Sequence, residues 1–372
     1  MSQPKVVVAG LGDSGLLTAL HLARSGAVDV VGISSKPGLV SGQELGMRLA
    51  RPEEWTRDHW YGFGRFARLD GARTVHGELT AVDVAGRALT VRDLAGSDRQ
   101  ESYDVLVLAT GVTNGFWRRP ELQTADEVDA ALASSHGQVA DADRVVIVGG
   151  GAAAVSTALQ VATRWPAKRV VLCFPGDRAL PRHHFRTWDH VRRRLLAAGV
   201  DLRPGHRAAL PDGFACDRIT AGPIDWSTGQ APTPADAVVW AIGRVRPNTN
   251  WLPSYLLDEG GFVRVEPTLQ VPGHPEVFAI GDVAATDELR SSARNRADKM
   301  LAANIRAFVG EGDLKTFRAP RRRWGSVLGV EADGLRVYAP SGQPFRFPAW
   351  SVRSILQPWI VERGIYGGIR RR

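Results

Sequence analysis

Two glycine-rich segments have a spacing suited to gripping a pyrophosphate: Gly10-Leu11-Gly12-Asp13-Ser14-Gly15 and Gly149-Gly150-Gly151-Ala152-Ala153-Ala154. Each follows an apolar run, Val6-Val7-Val8-Ala9 or Val145-Val146-Ile147-Val148, and each opens a stretch of helical periodicity. In such a turn the first glycine, Gly10 or Gly149, allows the tight change of direction, and the second, Gly12 or Gly151, lets the backbone approach phosphate oxygens. The third position must be small so that the helix packs on the strand; Gly15 meets that demand in one copy and Ala154 in the other. The phosphates then rest on the positive end of the helix. Two dinucleotide sites in one chain imply electron transfer between two cofactors. A third segment, Ile280-Gly281-Asp282, ends another apolar run and puts a carboxylate where a crevice ligand would lie, although such an Asp taken alone reads as a helix cap.

These residues need strands and helices to hold them. The pattern predicts a strand at 5–9, a helix at 14–25 closed by Gly26, and a strand at 28–33, which together make a βαβ unit. A Trp- and Arg-rich stretch follows at 47–69, then short alternating strands around 73–94 with turns at Gly71 and Ala85-Gly86, and a buried strand at 104–109 ending in Thr110-Gly111. The plan repeats with a strand at 144–148, a helix at 152–164, a strand at 169–174, a helix at 186–198 and a strand at 237–243. Beyond Asn248 the chain is expected to return to the first unit through strands at 261–265 and 277–282 and a helix at 289–308. The last 60 residues read as a small domain with strands near 326–330 and 335–338. The fold class is α/β: two stacked doubly wound nucleotide-binding domains plus a small α+β tail.

The chain has 372 residues, 44% hydrophobic and 23% charged, which is ordinary for a globular protein of two or three domains. Its two cysteines, Cys173 and Cys216, lie far apart in sequence, which excludes a CxxC redox pair, a cysteine zinc cluster and a disulfide framework. Cys173, on a strand, reads as core. The first five residues lead directly into a strand, so no signal peptide or myristoylation site is expected and the reading is cytoplasmic. No run reaches the roughly 18 apolar residues of a spanning helix. The net charge of +8 is uneven: from Asp313 to Arg372, 12 Lys and Arg face 4 Asp and Glu, and the rest of the chain balances. Such a tail suits an anionic surface, either membrane or nucleic acid, or a solvated face.

In this order, GxGxxG, Ala-Thr-Gly, GxGxxA, Ala-Ile-Gly with Pro247-Asn248, and Val-Phe-Ala-Ile-Gly-Asp, the motifs over residues 4–308 resemble the flavoproteins with two dinucleotide-binding domains. That superfamily is the pyridine nucleotide-disulfide oxidoreductases, here without the redox disulfide. The resemblance implies an FAD site and a site for NADH or NADPH. By it, Gly10, Gly12, Asp13, Ser14 and Gly15 hold the FAD pyrophosphate, and Thr110 and Gly111 pass under the cofactor. Gly281 and Asp282 clasp the ribityl chain, and Val283 and Ala284 begin a helix near the flavin ring. Gly149, Gly151, Ala152, Ala153 and Ala154 hold the nicotinamide nucleotide, and Gly243, Pro247 and Asn248 match the crossing back. The implied domains are 1–115 with 252–312 for FAD, 116–251 for NAD(P)H, and 313–372 as a basic, aromatic tail.

The chain departs from that pattern in two places. The ribose-binding acid expected at the tip of the second strand is replaced by Ser34-Ser35-Lys36, and a serine holds a ribose hydroxyl more weakly than a carboxylate. In the second unit the matching place reads Cys173-Phe174-Pro175-Gly176-Asp177-Arg178; Asp177 favours NADH and Arg178 favours a 2′-phosphate, so both nucleotides stay open. Without a cysteine pair the resemblance narrows to the branch that gives electrons directly to a quinone, a protein or oxygen: type II NADH:quinone oxidoreductases and apoptosis-inducing-factor-like and ferroptosis-suppressor-like proteins. The tail, with Ser326-Val327-Leu328-Gly329, Gly334-Leu335 and Phe347-Pro348-Ala349-Trp350, resembles that of the quinone-reducing branch. In it Ala349, Val352, Leu356, Trp359 and Arg363 share a helical period interrupted by Pro358, and Trp350, Arg353 and Arg363 suit a lipid interface. Arg321-Arg322-Arg323 and Arg370-Arg371-Arg372 fit an anionic leaflet or a solvated tail, and a packing or dimer surface is the competing reading of the aromatics.

Trp55, His59 and Trp60 read as domain packing, His183 and His184 as surface, and Lys5 and Lys299 as solvated charges. No general base is assigned and no catalytic residue is named, because hydride transfer from nicotinamide to flavin needs mainly alignment. The expected activity is hydride transfer from NAD(P)H to FAD and then electron transfer to a quinone-like acceptor, on the inner face of a membrane if the tail docks there. The alternatives are a soluble reductase feeding a redox partner protein and a weakly redox-active, nucleotide-bound interaction protein. Nucleic acid binding is not expected, since charge is its only support.

Overall fold

The computed structural model describes residues 3–286, 297–310, 312–319 and 324–370. Strand Lys5–Ala9 is apolar after its first residue because both of its faces are covered, as in any parallel sheet between two layers. It lies inside a six-stranded sheet whose spatial order is 270–271, 274–279, 105–108, 5–9, 29–34 and 72–76, parallel except for the short strand 270–271. Helices Asp13–Ala23 and Ala297–Val309 cover one face, burying Leu16, Leu20, Leu301 and Ile305 against Val6 and Val8. The other face packs on Leu89, Val91 and Tyr103, contributed by and next to the antiparallel sheet 78–83, 88–92 and 98–102.

The second sheet, ordered 201–203, 169–173, 144–148 and 237–240, is parallel throughout. The two units repeat in register: Ala9 lies opposite Ile33 and Val148 opposite Cys173. The first glycine of each turn then donates its N–H to that opposite residue, Gly10 to Ile33 and Gly149 to Cys173, both at 2.9 Å. A two-stranded antiparallel ribbon, Val112–Asn114 with Val245–Pro247, carries the chain into the second unit and back out of it.

Helix Ala125–Ala140 was not anticipated, although Thr124 and Glu127 spell a capping box and both halves of that box form. Helices Leu45–Ala50 and Pro52–His59 occupy the Trp- and Arg-rich stretch, with Trp55 and Trp60 buried beside Met47, Val128 and Leu132. Gly46 allows a close helix crossing, since a Cβ there would stand 2.5 Å from Ser156 Oγ.

Three local expectations change. The strand expected at 261–265 reduces to bridges from Val263 to Leu257 and Ala284, because Gly261 sits at φ +77 and the chain turns again at Glu266. No helix begins at Val283 and Ala284: after a short 3-10 turn, Gly281–Val283, Ala284 is extended and pairs with Val263. Of the helix expected at 289–308, residues 289–296 lie outside the described residues. Pro358 does not interrupt its helix either. Val352–Ile365 continues past it in wide i→i+5 turns, which spare the clash between the proline ring and the carbonyl four residues back. That widening changes the faces. Val352, Leu356 and Val361 pack inward, whereas Trp359 is 58% exposed.

The tail is clamped at both ends. Val327, Leu328 and Tyr338 join the second unit's core, and Ser156 Oγ and Gln160 Nε2 donate to the Leu328 carbonyl, each at 3.2 Å. Val361 and Tyr366 join the first unit's core, and Ile369 bridges Phe66. Trp324, Phe345, Trp350, Ile355, Trp359 and Ile360 stay exposed. Arg321-Arg322-Arg323, Arg371 and Arg372 lie outside the described residues.

Candidate functional site

The first glycine turn is shaped from within. Gly10 has φ +106, and a Cβ on it would stand 2.5 Å from the Ala109 carbonyl oxygen; a Cβ on Gly15 would collide with the Gly10 carbonyl. Gly12 differs, since it faces open space with no atom within 4 Å of a Cβ position. It is also the N-cap of helix Asp13–Ala23, and no side chain caps that helix. Its first amides are therefore available to an anion. Asp13 points elsewhere: it accepts from Ser41 Oγ at 2.9 Å and from the Gly42 amide at 3.0 Å, tying the 41–42 loop to the turn.

One cleft of about 410 Å³ joins Gly10, Gly12, Asp13 and Ser14 to Ser34, Ser35, Thr110, Gly111, Gly281 and Asp282. Gly15 underpins it. Val283 and Ala284 are buried in the core below the first sheet and do not line it. The Thr110-Gly111 turn is held by Asn248. Its amide donates to the Gly111 carbonyl at 3.0 Å, its Nδ2 donates to the Thr110 carbonyl at 3.0 Å, and its Oδ1 accepts from Thr113 Oγ1 at 2.7 Å.

At one end of the cleft Ser34 Oγ accepts from the Lys36 amide at 3.1 Å, and Lys36 Nζ donates to the Glu121 carbonyl. Burial pushes the Lys36 ammonium down to about 8. Glu78 lines the same end. Elsewhere on the cleft wall Arg118 Nη1 donates to Asp282 Oδ2 at 2.6 Å, and Arg48 donates to the Trp117 carbonyl at 2.6 Å. Burial first, and the Arg118 charge second, lower Arg48 to about 10. Asp282 Oδ1 is buried without a hydrogen-bond donor.

The second turn repeats the first. Gly149 has φ +145, and a Cβ there would stand 2.1 Å from the Ala241 carbonyl oxygen, whereas Gly151 is open and N-caps helix Ala152–Arg164 without a side-chain cap. Ala152 is exposed, Ala153 is half-buried, and Ala154 fills the small-residue position at 0% exposure. By the shared register, Ser34 corresponds to Phe174, which is buried against Trp188. Asp177 is exposed in the loop beyond, and Arg178 Nη2 donates to the Pro181 carbonyl at 3.1 Å while its Nη1 is buried and unpartnered. Gly243, at φ +72, leads the chain into the ribbon.

Both cysteines are buried in the second unit and neither lines the cleft; burial pushes the Cys173 thiol up to about 12. Lys5 is ion-paired with Glu101 at 2.5 Å, Lys299 is exposed, and His184 caps helix Phe185–Ala197. Arg48, Arg118 and Glu78 lie outside the glycine motifs and meet only through the fold, so the sequence does not single them out; Lys36 is visible beside Ser34, but its burial is not. Asn248 was visible as part of Pro-Asn, but its bracing of the Thr110-Gly111 turn through hydrogen bonds was not.

The residues present fit FAD: an uncapped helix start, an open Gly12, and an orphan carboxylate oxygen able to accept from a hydroxyl. The proteins to which this chain is similar include two curated oxidoreductases and one solved structure. The oxidoreductase ptaL of Pestalotiopsis fici is 26% identical over 342 residues, covering 89% of this chain and 85% of its own. An NADH dehydrogenase-like protein of Mycobacterium tuberculosis is 30% identical over 312 residues, covering 76% and 73%. The ferredoxin reductase for a CYP199A2 system from Rhodopseudomonas palustris shares the fold, with a TM-score of 0.68 at 20% identity over 91% of this chain and 88% of that one. Residues 4–303 match the model of the pyridine nucleotide-disulphide oxidoreductases. With two registered glycine turns facing cofactor space and that match over most of its length, this chain belongs to the pyridine nucleotide-disulphide oxidoreductase family, as an oxidoreductase that uses FAD with NADH or NADPH.

Proposed function

We propose that the chain takes hydride from NADH or NADPH onto FAD held in the first cleft and passes two electrons to a quinone-like acceptor. Bound FAD supplies the two-electron carrier; the protein aligns it and excludes water. The observation that carries this reading is the pair of glycine turns left open at Gly12 and Gly151 beside a cleft that no cysteine lines. Without a thiol to relay them, electrons leave FAD directly for the acceptor. A quinone takes the two electrons and two protons, one accounted for by the hydride that NAD(P)H gave and one taken net from solvent.

The tail supports delivery at a membrane surface. Trp350 and Trp359 are 62% and 58% exposed, Arg363 stacks on Trp359 at 5.1 Å, and no helix among the described residues is long and apolar enough to span a bilayer. Such a surface matches interfacial contact with an anionic leaflet. The test is anaerobic reduction of the flavin by NADH and by NADPH, followed by quinone addition. Bleaching and reoxidation are expected, and a flavin that neither nucleotide bleaches refutes the proposal. Sedimentation with anionic vesicles tests the tail: Trp350→Ser with Trp359→Ser is expected to release the protein, and unchanged binding refutes membrane contact through these residues.

A further inference from the structure

The cleft wall around Asp282 holds more positive charge than the described residues neutralise there. Arg118 and Arg48 both line this wall, and among the described residues the one carboxylate paired with them is Asp282, at 2.6 Å from Arg118. Arg48 lies 5.1 Å from the Trp55 ring centroid and spends one nitrogen on the Trp117 carbonyl, with no carboxylate partner among the described residues. A buried guanidinium lacking a counter-charge is costly, and here a second guanidinium adds repulsion. Asp282 contributes the opposite defect, an acceptor oxygen that is buried and unfilled. The surplus cation and the orphan acceptor share one wall, so a ligand that brings a hydroxyl and gains negative charge would satisfy both.

FAD is such a ligand, and this inference rests on the FAD reading above. Hydride from NAD(P)H delivers two electrons with one proton, so the flavin gains one negative charge for each reduction. We infer that Arg118 and Arg48 are the counter-charge for the reduced flavin, and that Arg118, steered by Asp282 and the Gly42 carbonyl, raises the potential of bound FAD so that it accepts hydride readily. The alternative occupant of this charge is the pyrophosphate. A phosphate is equally anionic in both oxidation states, so in that case Arg118 would govern FAD affinity and leave the potential alone.

The experiment is an anaerobic potential titration, against dyes of known potential, of FAD-loaded wild type, Arg118→Gln and Arg118→Lys. Arg118→Gln is expected to move the oxidised-to-reduced equilibrium at least tenfold toward the oxidised form, about 30 mV for a two-electron couple, while Arg118→Lys keeps most of the wild-type value. A wild-type potential in FAD-loaded Arg118→Gln overturns the inference, whether or not FAD binds more weakly. Should Arg118→Gln hold no FAD, Arg48→Gln is titrated in the same way, and an unchanged potential there overturns it equally. Wild-type protein that takes up no FAD would instead refute the FAD reading itself, so the two failures are distinguishable.

Discussion

Adding one methyl group separates the cofactor's needs from the fold's. At Gly10 an alanine must hold φ +106 and set its Cβ 2.5 Å from the Ala109 carbonyl oxygen. Backbone strain there costs about 1–3 kcal/mol, and overpacking costs a similar amount, about 1–3 kcal/mol. Together these consume a large share of the roughly 5–15 kcal/mol that holds a domain folded. At Gly12 the same methyl meets no protein atom within 4 Å, and φ is −71, which alanine adopts freely. Its cost to the apoprotein is the poorer N-cap alone, about 1 kcal/mol or less. The methyl does enter the space through which phosphates reach the helix start. A penalty of about 1–3 kcal/mol there corresponds to roughly a 5- to 150-fold weaker Kd for FAD. Urea unfolding of the apoprotein, followed by tryptophan fluorescence, gives the first quantity, and quenching of flavin fluorescence gives the second. Gly12→Ala binding FAD as tightly as wild type, or losing as much apoprotein stability as Gly10→Ala, would refute the assignment of this open space to the cofactor.

The second turn supports the parallel experiment: Gly151→Ala is expected to raise the Kd for NADH or NADPH with little change in FAD content, measured by nucleotide titration of the FAD-loaded protein. Lys36 offers a pH signature. Its ammonium is held near 8, below the usual 10.5, so the unfolded chain binds more protons between those values and apoprotein stability should rise with pH across that window; in Lys36→Met that rise should be smaller, as read by urea midpoints from pH 7 to 10.5. Thr124→Ala, which removes the hydroxyl that accepts from the Glu127 amide but keeps the backbone N–H that donates to the Glu127 carboxylate, is expected to cost about 1 kcal/mol in the same assay.

What could be read in the sequence was the local part of the fold. The strand, glycine turn and helix of each unit depend on neighbours a few residues apart, and there the two units appear with bounds close to those expected. The site's remaining parts depend on distant pairings. Arg118 reaches Asp282 across 164 positions, and Asn248 braces Thr110 across 138; no periodicity records either. The expected ribose acid illustrates the same point. Sequence spacing offered Asp177, but the strand register puts Phe174 at the position of Ser34, and Asp177 falls in the loop beyond. Pro358 misled for a different reason, because the rule that proline ends a helix assumes α-turns and this helix uses wider ones.

The narrow ribbon between the two units has a consequence for synthesis. Residues 112–114 and 245–247 are hydrogen-bonded partners, so the second unit begins and ends at the same point in space. All four strands of its sheet, from 144 to 240, lie between those crossings, whereas the first sheet lacks strand 274–279 until later residues arrive. On a ribosome the unit that starts second can therefore finish first. The amino-terminal half-sheet must wait with its 105–108 edge open, the edge most exposed to misassembly while the chain grows.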